Sequence, residues 1–243
     1  METVVAIETK ALTKKYGKKI ACNAVELTVY KGELLALLGV NGAGKTTLIK
    51  MLSCLTSPTS GDALICNKSI ITEQDEVKAV VGVSPQETSV APNLTVRENL
   101  EFIAEVYGNK GTLSKTKAEE IINQFSMQEV ANTRAKKLSG GWQRRLSIAM
   151  AIISEPKVLF LDEPTLGLDI LARRELWKHI EHLKGTTTVI LTTHYLEEAE
   201  ALSDRIAIMV NGSVKHIATA EELVATSGEK TFEEAFIKLA KEQ

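Results

Sequence analysis

The run ELLALLG, residues 33–39, leads without a break into GVNGAGKTT, residues 39–47, and then into the helix-forming stretch GKTTLIKMLSCL. From Leu34 to Leu38 every residue is apolar, as in a strand of a parallel sheet covered by helices on both faces. A Gly-rich turn between such a strand and a helix puts a ligand at the carboxyl end of the sheet. The turn fits G-x-x-x-x-G-K-[ST], and the strand–loop–helix context gives that pattern its meaning. Gly39, Gly42 and Gly44 let the backbone turn tightly and aim N–H groups at phosphate oxygens, with Val40, Asn41 and Ala43 between them. Lys45 supplies a point charge for the β- and γ-phosphates, and Thr46 a hydroxyl for Mg²⁺. Thr47 extends the helix start, whose partial positive charge favours an anion.

The alternation continues along the chain. Apolar runs in AVVGVSP (79–85), KVLFLDEP (157–164), TTVILTTH (187–194) and RIAIMVNG (205–212) are separated by helical stretches such as WQRRLSIAMAIIS, RRELWKHIEHL and YLEEAEALS. The expected fold is α/β: a P-loop NTPase core with a mostly parallel sheet. The beginning of the chain differs. Residues 2–31 alternate, as in AVELTVYKGE, with turns at KKYGKK and YKGE, so 1–32 is expected to form an N-terminal antiparallel β subdomain. Residues 87–140 lack a strong strand run. Thr95 and Glu98 make a capping box that opens VRENLEFIAEVYG, Gly108 stops it, and KAEEIINQF follows, so this part reads as an inserted α-helical subdomain. That leaves 33–86 and 141–215 as the core that carries the phosphate loop. Residues 216–243 form a C-terminal helical segment, where Thr231 and Glu234 cap a helix that puts Phe232, Ala235, Phe236 and Leu239 on one face. All parts are expected to form a single domain over 1–243.

VLFLDE, Val158 to Glu163, is an apolar strand that ends in two acids. Its carboxyl end lies on the ligand side of an α/β sheet. Asp162 is placed to hold Mg²⁺ through water, and Glu163 to orient and polarise the water that attacks a phosphate.

Three motifs in order, GVNGAGKTT, LSGGWQRR (138–145) and VLFLDEPTLGLD (158–169), resemble the nucleotide-binding subunit of ABC transporters. The ending KTFEEAFIKLA and the stretch THYLEEAEALSDRIAIMVNG look most like the ABC-2 type export family, the drug, sodium and peptide exporter ATPases. The resemblance implies an ATPase that binds ATP with Mg²⁺ and powers a separate integral-membrane permease, most simply an exporter. It also implies further roles. Tyr16 matches the aromatic that stacks on adenine, Gln86 the glutamine that touches Mg²⁺ and the attacking water, and Asp169 the loop that communicates across a dimer. His194 matches the histidine that contacts the γ-phosphate, and with Glu163 makes the catalytic pair. Thr46, Gln86 and Asp162 are the implied metal set. Trp142 stands where the family usually has Gln or Met, and a packing role is expected for it.

LSGG is itself an anion site of half the usual content. Ser139 can cap the helix that follows, and Gly140 and Gly141 bare N–H groups beside it, but no Lys or metal ligand accompanies them. Head-to-tail pairing with a second copy, or with a homologous ATPase subunit, would let each Ser139–Gly141 turn cover the ATP held on the other subunit's Gly39–Thr47.

Composition narrows the partners. The 243 residues carry 29 basic and 31 acidic side chains, a balance that argues against nucleic acid bound by bulk charge. No apolar run approaches the roughly 18 residues of a membrane span, and the N-terminus does not read as a secretory signal. Cys22, Cys54 and Cys66 have neither pairing nor metal spacing. The expected location is cytoplasmic, peripheral on the inner face of the membrane through the permease. The alternative is a soluble ABC-type ATPase that acts on the ribosome or DNA. Such proteins usually have two nucleotide-binding halves or a long coiled-coil insertion, whereas this chain shows one half and no sustained heptads. A small-molecule kinase would leave LSGG without a purpose.

Overall fold

The computed structural model describes residues 4–241. Residues 1–3 of the expected N-terminal subdomain and 242–243 of the expected C-terminal segment lie outside the described residues. Two sheets form the framework. In the first, β1 (Val5–Tyr16) and β2 (Lys19–Tyr30) make a hairpin, and β4 (Ser60–Ile65) and β5 (Lys68–Ser69) extend it in the order β2-β1-β4-β5. The pairs are antiparallel. The second sheet contains β3 (Leu34–Leu38), β6 (Val81–Ser84), β7 (Val158–Asp162), β8 (Thr188–Thr193), β9 (Arg205–Val210) and β10 (Ser213–Ala218). Its order is β10-β9-β3-β8-β7-β6, parallel throughout except at the β9–β10 hairpin.

The all-apolar strands are explained by what covers each face. Leu159 and Leu161 of β7 join a core with α5 (Gly140–Ile152), α6 (Ile170–Glu181) and the inserted helices. Val158 and Phe160 point the other way, into a core shared with α1 (Lys45–Leu52) and the antiparallel sheet residues Ile7, Leu12 and Val29. Alternate residues of one strand thus face two different apolar layers, which is why the period-2 pattern of a half-buried strand is absent. A third, smaller cluster joins Ala36, Leu38 and Ile208 to Phe232 and Leu239 at the C-terminus.

The inserted part is built from α3 (Val96–Val106) and α4 (Thr112–Gln124). Thr95 and Glu98 form the reciprocal capping box read from the sequence. The α4 helix begins at Thr112, before KAEEIINQF, because Gly111 and the polar TLSKT stretch can start the helix without an apolar stripe. α7 (Leu196–Leu202) follows β8, and α8 (Ala220–Ser227) and α9 (Phe232–Leu239) close the chain with capping boxes at Thr219 and Thr231.

Two boundaries differ from the sequence reading. Residues 60–69, assigned to the core segment 33–86, join the antiparallel sheet: 60–65 pair with β1 and 68–69 with β4, since Ala63 and Ile65 bury beside Ile7. The C-terminal segment opens with a strand, because β10 adds an antiparallel edge to β9. The YKGE turn needs its glycine. Gly32 has φ 77°, and a Cβ there would lie 2.9 Å from the Gly185 carbonyl oxygen.

Candidate functional site

Strand order brings the motifs together. β3 is flanked by β8, and β8 by β7, then β6. Leu38 pairs with Thr193, Asp162 with Thr192, and Leu161 with Ser84. The carboxyl ends therefore align the loop after Leu38, the Thr192–His194 end, the Asp162–Glu163 end and the Ser84–Gln86 end in one row. Groups far apart in sequence converge for that reason alone.

The phosphate loop runs from Gly39 to α1. Gly44 has φ 110°, and a Cβ there would come within 2.3 Å of the Ala21 carbonyl oxygen, so the turn tolerates no side chain at this point against the β2 backbone. Asn41, Gly42, Ala43, Gly44, Lys45, Thr46 and Thr47 line a cavity of about 410 Å³, together with Gln86, Glu163 and His194. Gly39 and Val40 supply carbonyls to the Lys45 ammonium, at 2.6 and 3.3 Å. Lys45 is 5% exposed, and burial pulls its pKa down against the pull of Glu163 and Asp162. Its Nζ is 3.7 Å from Glu163 Oε1.

Asp162 and Glu163 are held differently. Asp162 Oδ1 accepts from Thr46 Oγ1 at 3.1 Å and from Thr192 Oγ1 at 2.6 Å, which points it at the helix start. Glu163 lies beyond the strand end with φ 47°, an uncommon conformation for a residue with a side chain. Its N–H reaches Thr192. Its Oε2 is 3.3 Å from His194 Nδ1, close enough for an ion pair but without hydrogen-bond alignment. Two carboxylates on neighbouring residues thus face different partners: a hydroxyl pair for Asp162, a Lys and a His for Glu163.

The remaining candidates lie around this centre. Gln86 is exposed and lines both the phosphate-loop cavity and a second cavity of about 380 Å³ next to Gly140, Arg144 and Gly167. Tyr16 is half exposed at the β1–β2 hairpin, opposite Lys19, which lines the first cavity; Tyr16 itself does not line it, and Lys14 lies 5.1 Å over its ring. Ser139 and Gly140 are exposed and outside the phosphate-loop cavity. Ser139 caps α5 through a long 3.5 Å contact from Trp142 N–H. Asp169 caps α6, accepting from Ala172 N–H at 2.9 Å. Trp142 packs against the main core, with the Arg145 guanidinium 4.4 Å over its ring.

Sequence reasoning missed three participants. Thr192 was only part of an apolar run, yet its hydroxyl fixes Asp162. Glu198 is fully buried on α7, bonded to Trp177 Nε1 at 3.1 Å, and burial raises its pKa. Arg144 is 3% exposed and turned into the protein. A signal existed for Arg144: it shares a helical stripe with Ser147, Ile148 and Ala151, a stripe that should carry no cation unless the cation has partners.

A phosphate loop on the central strand, an acidic strand end one strand removed, and a separate capped helix start define a nucleotide-hydrolysing domain of the phosphate-loop class. The model of the ABC transporter family matches residues 22–166, and the chain belongs to that family. It is 40% identical over 245 residues to "Probable multidrug ABC transporter ATP-binding protein YbhF" of Escherichia coli (strain K12), covering 98% of this chain and 42% of that one. It is 38% identical over 224 residues to "Daunorubicin resistance ATP-binding protein DrrA3" of Streptomyces coeruleorubidus, covering 92% of this chain and 71% of that one. The chain thus spans less than half the length of the first of these relatives. Among solved structures, an ATP-binding subunit of an ABC transporter superposes with a TM-score of 0.86 at 28% identity, covering 97% of this chain and all of that one. A dimeric ATP-binding cassette in a post-hydrolysis state with ADP and Pi gives 0.79 at 27% identity, covering 88% and 98%.

Proposed function

We propose that this chain binds and hydrolyses ATP as one half of a head-to-tail pair and that the cycle drives an integral-membrane permease, as an exporter. The observation that carries the reading is the convergence of Lys45, Asp162, Glu163 and His194 on one phosphate loop while Ser139 and Gly140 stand exposed outside it. Within one subunit the second turn has nothing to cover. The solved neighbours that are themselves dimers support pairing, with a second copy or a homologous subunit as partner. The multidrug and daunorubicin-resistance names of the relatives support export, and they give no support to the ribosome or DNA alternative.

The roles follow from position. Gly39–Thr47 cradles the triphosphate, with Lys45 on the β- and γ-phosphates, and Tyr16 reaches adenine from the hairpin edge. Thr46, Gln86 and, through water, Asp162 offer hard oxygen donors, the set that suits Mg²⁺. Among the described residues no group of three or more His, Cys, Asp or Glu forms a metal cage, which fits a cation that shares its shell with phosphate and water. When bound, Mg²⁺ neutralises charge on the phosphates. Glu163 takes the proton of the attacking water, and His194 holds the γ-phosphate end beside it. Ser139, Gly140, Gly141 and Asp169 act on the partner's nucleotide.

The chain works as a single domain over 1–243, with the antiparallel part at the adenine side and 87–140 as the part that meets the permease. Exposed Phe102, Val106, Tyr107 and Leu113 on that part support such a contact. No helix among the described residues is long and apolar enough to cross a membrane, so attachment to the inner face would run through the permease. Glu163→Gln is the test: with ATP it should elute as a dimer and turn over at least about a hundredfold more slowly. Normal turnover in that variant would contradict the role given to Glu163.

A further inference from the structure

Arg144 is on the third residue after the Ser139–Gly141 turn, in the first turns of α5, and is 3% exposed. Its guanidinium donates to four main-chain carbonyls on two separate loops. Nη1 reaches Pro85 at 2.5 Å; Nη2 reaches Gln86 at 3.0 Å, Glu163 at 2.7 Å and Asp162 at 3.4 Å. All four acceptors are neutral. A buried cation that relies on carbonyls gives up its hydration for dipoles, an expensive arrangement to keep for packing alone. Burial lowers the pKa of Arg144, and the acids Asp162, Glu198 and Glu163 pull it back up.

What these bonds hold is specific. Glu163 stands at φ 47°, and its conformation is pinned at both ends: its N–H by Thr192, its carbonyl by Arg144. The same side chain grips the carbonyls of Pro85 and Gln86, where the chain leaves β6 for the inserted helices. The root of Arg144 is the helix that starts at Ser139. One planar fork therefore ties the exposed turn, the Gln86 loop and the Glu163 elbow into a unit.

We propose that Arg144 is a positioning residue for ATP hydrolysis: it transmits the seating of the Ser139–Gly141 turn to Gln86 and to the backbone of Glu163. This rests on the reading of Glu163 as the group that takes the water's proton. A lysine keeps the charge but is a single point donor that cannot serve two loops in one plane. Displacing a catalytic group by about an ångström costs on the order of a hundredfold in rate.

The experiment compares wild type, Arg144→Lys, Arg144→Gln and Glu163→Gln as full chains with Mg-ATP. The readouts are steady-state ATPase, binding of a fluorescent ATP analogue and the melting temperature. Expected for Arg144→Lys is a kcat lower by about tenfold or more, with KM and analogue affinity within about twofold. Placed on Glu163→Gln, Arg144→Lys should cost no further rate, because the group it positions is already gone. A kcat for Arg144→Lys within twofold of wild type overturns the proposal. So does a parallel loss of affinity, rate and melting temperature in both Arg144 variants, which marks a brace and nothing more. If Glu163→Gln hydrolyses normally, the Glu163 assignment falls; a slow Arg144→Lys beside it would then trace to Gln86 and Asp162.

Discussion

Replacing Thr192 by Val tests the buried polar lattice under the site. The change keeps the side-chain shape and removes one hydroxyl from a fully buried strand residue. That hydroxyl donates to Asp162 Oδ1 at 2.6 Å and accepts from Glu163 N–H at 3.0 Å. Glu163 N–H keeps a second acceptor, the Thr192 carbonyl at 3.1 Å, so little is lost there. Asp162 is 3% exposed and would keep Thr46 Oγ1, the longer contact at 3.1 Å. The cost is thus one hydrogen bond to a charged, buried acceptor, about 1.5–3 kcal/mol. For a chain of this size each kcal/mol moves the melting temperature by about 2–4 °C, so a fall of roughly 3–12 °C is expected. Thr192→Ser restores the hydroxyl and should recover most of the loss. Calorimetric melting of wild type, Thr192→Val and Thr192→Ser without nucleotide measures it. A Thr192→Val protein that melts within about 1 °C of wild type would refute the reasoning.

Lys45→Ala removes the buried cation proposed to meet phosphate, so nucleotide affinity should fall by about tenfold or more, read by titration with a fluorescent analogue. Gly141→Asp, where a Cβ would sit a tight 3.3 Å from Ala172 Cβ, should leave ATP binding intact but abolish turnover. Mixing the Lys45→Ala and Gly141→Asp proteins should restore ATPase that neither has alone, since a mixed pair holds one intact composite site; an inactive mixture argues against action in trans. Burial pushes the Cys22 thiol from 9.0 up to about 12. The folded state keeps a proton that the unfolded chain releases above pH 9, so this contribution is present below pH 9 and lost as pH rises towards 12. Cys22→Ala should therefore flatten the alkaline fall in melting temperature, and native Cys22 should resist alkylation at pH 8.5 while Cys54, only partly buried, reacts.

The phosphate loop was legible because its geometry is local. Gly39 to Thr46 lies between one strand and one helix, and the glycines needed for close approach sit in the motif itself. The buried strands were legible as well, since continuous apolar runs need no knowledge of partners. What could not be read was strand order. Residues 60–65 join the antiparallel sheet by pairing with residues 7–13, a choice made across some fifty positions that leaves only Ala63 and Ile65 as local traces. Thr192 and Arg144 were hidden for the same reason. A hydroxyl in an apolar run and a cation in a helix acquire meaning only once β7 lies between β8 and β6, and α5 packs at the ends of β6 and β7.

LSGGWQRR is the clearest case of a motif whose visible half is not its whole function. The glycines and Ser139 form an exposed helix start, which by itself says only that an anion can be met. Three residues on, Arg144 faces inward and holds the elbow of Glu163. On the proposed reading, the segment has one side for a partner's nucleotide and another for its own Glu163 loop. In the proposed pair, closure presses on the first side, and Ser139 and Arg144 share the start of one helix, α5, through which that displacement would reach the second. If so, uncoupling should be separable: Gly141→Asp should block closure with Glu163 still correctly held, whereas Arg144→Lys should allow closure and slow the chemistry. Crosslinking of ATP-bound pairs beside single-turnover hydrolysis distinguishes them. Loss of crosslinking in Arg144→Lys would show that both sides of the helix serve closure alone.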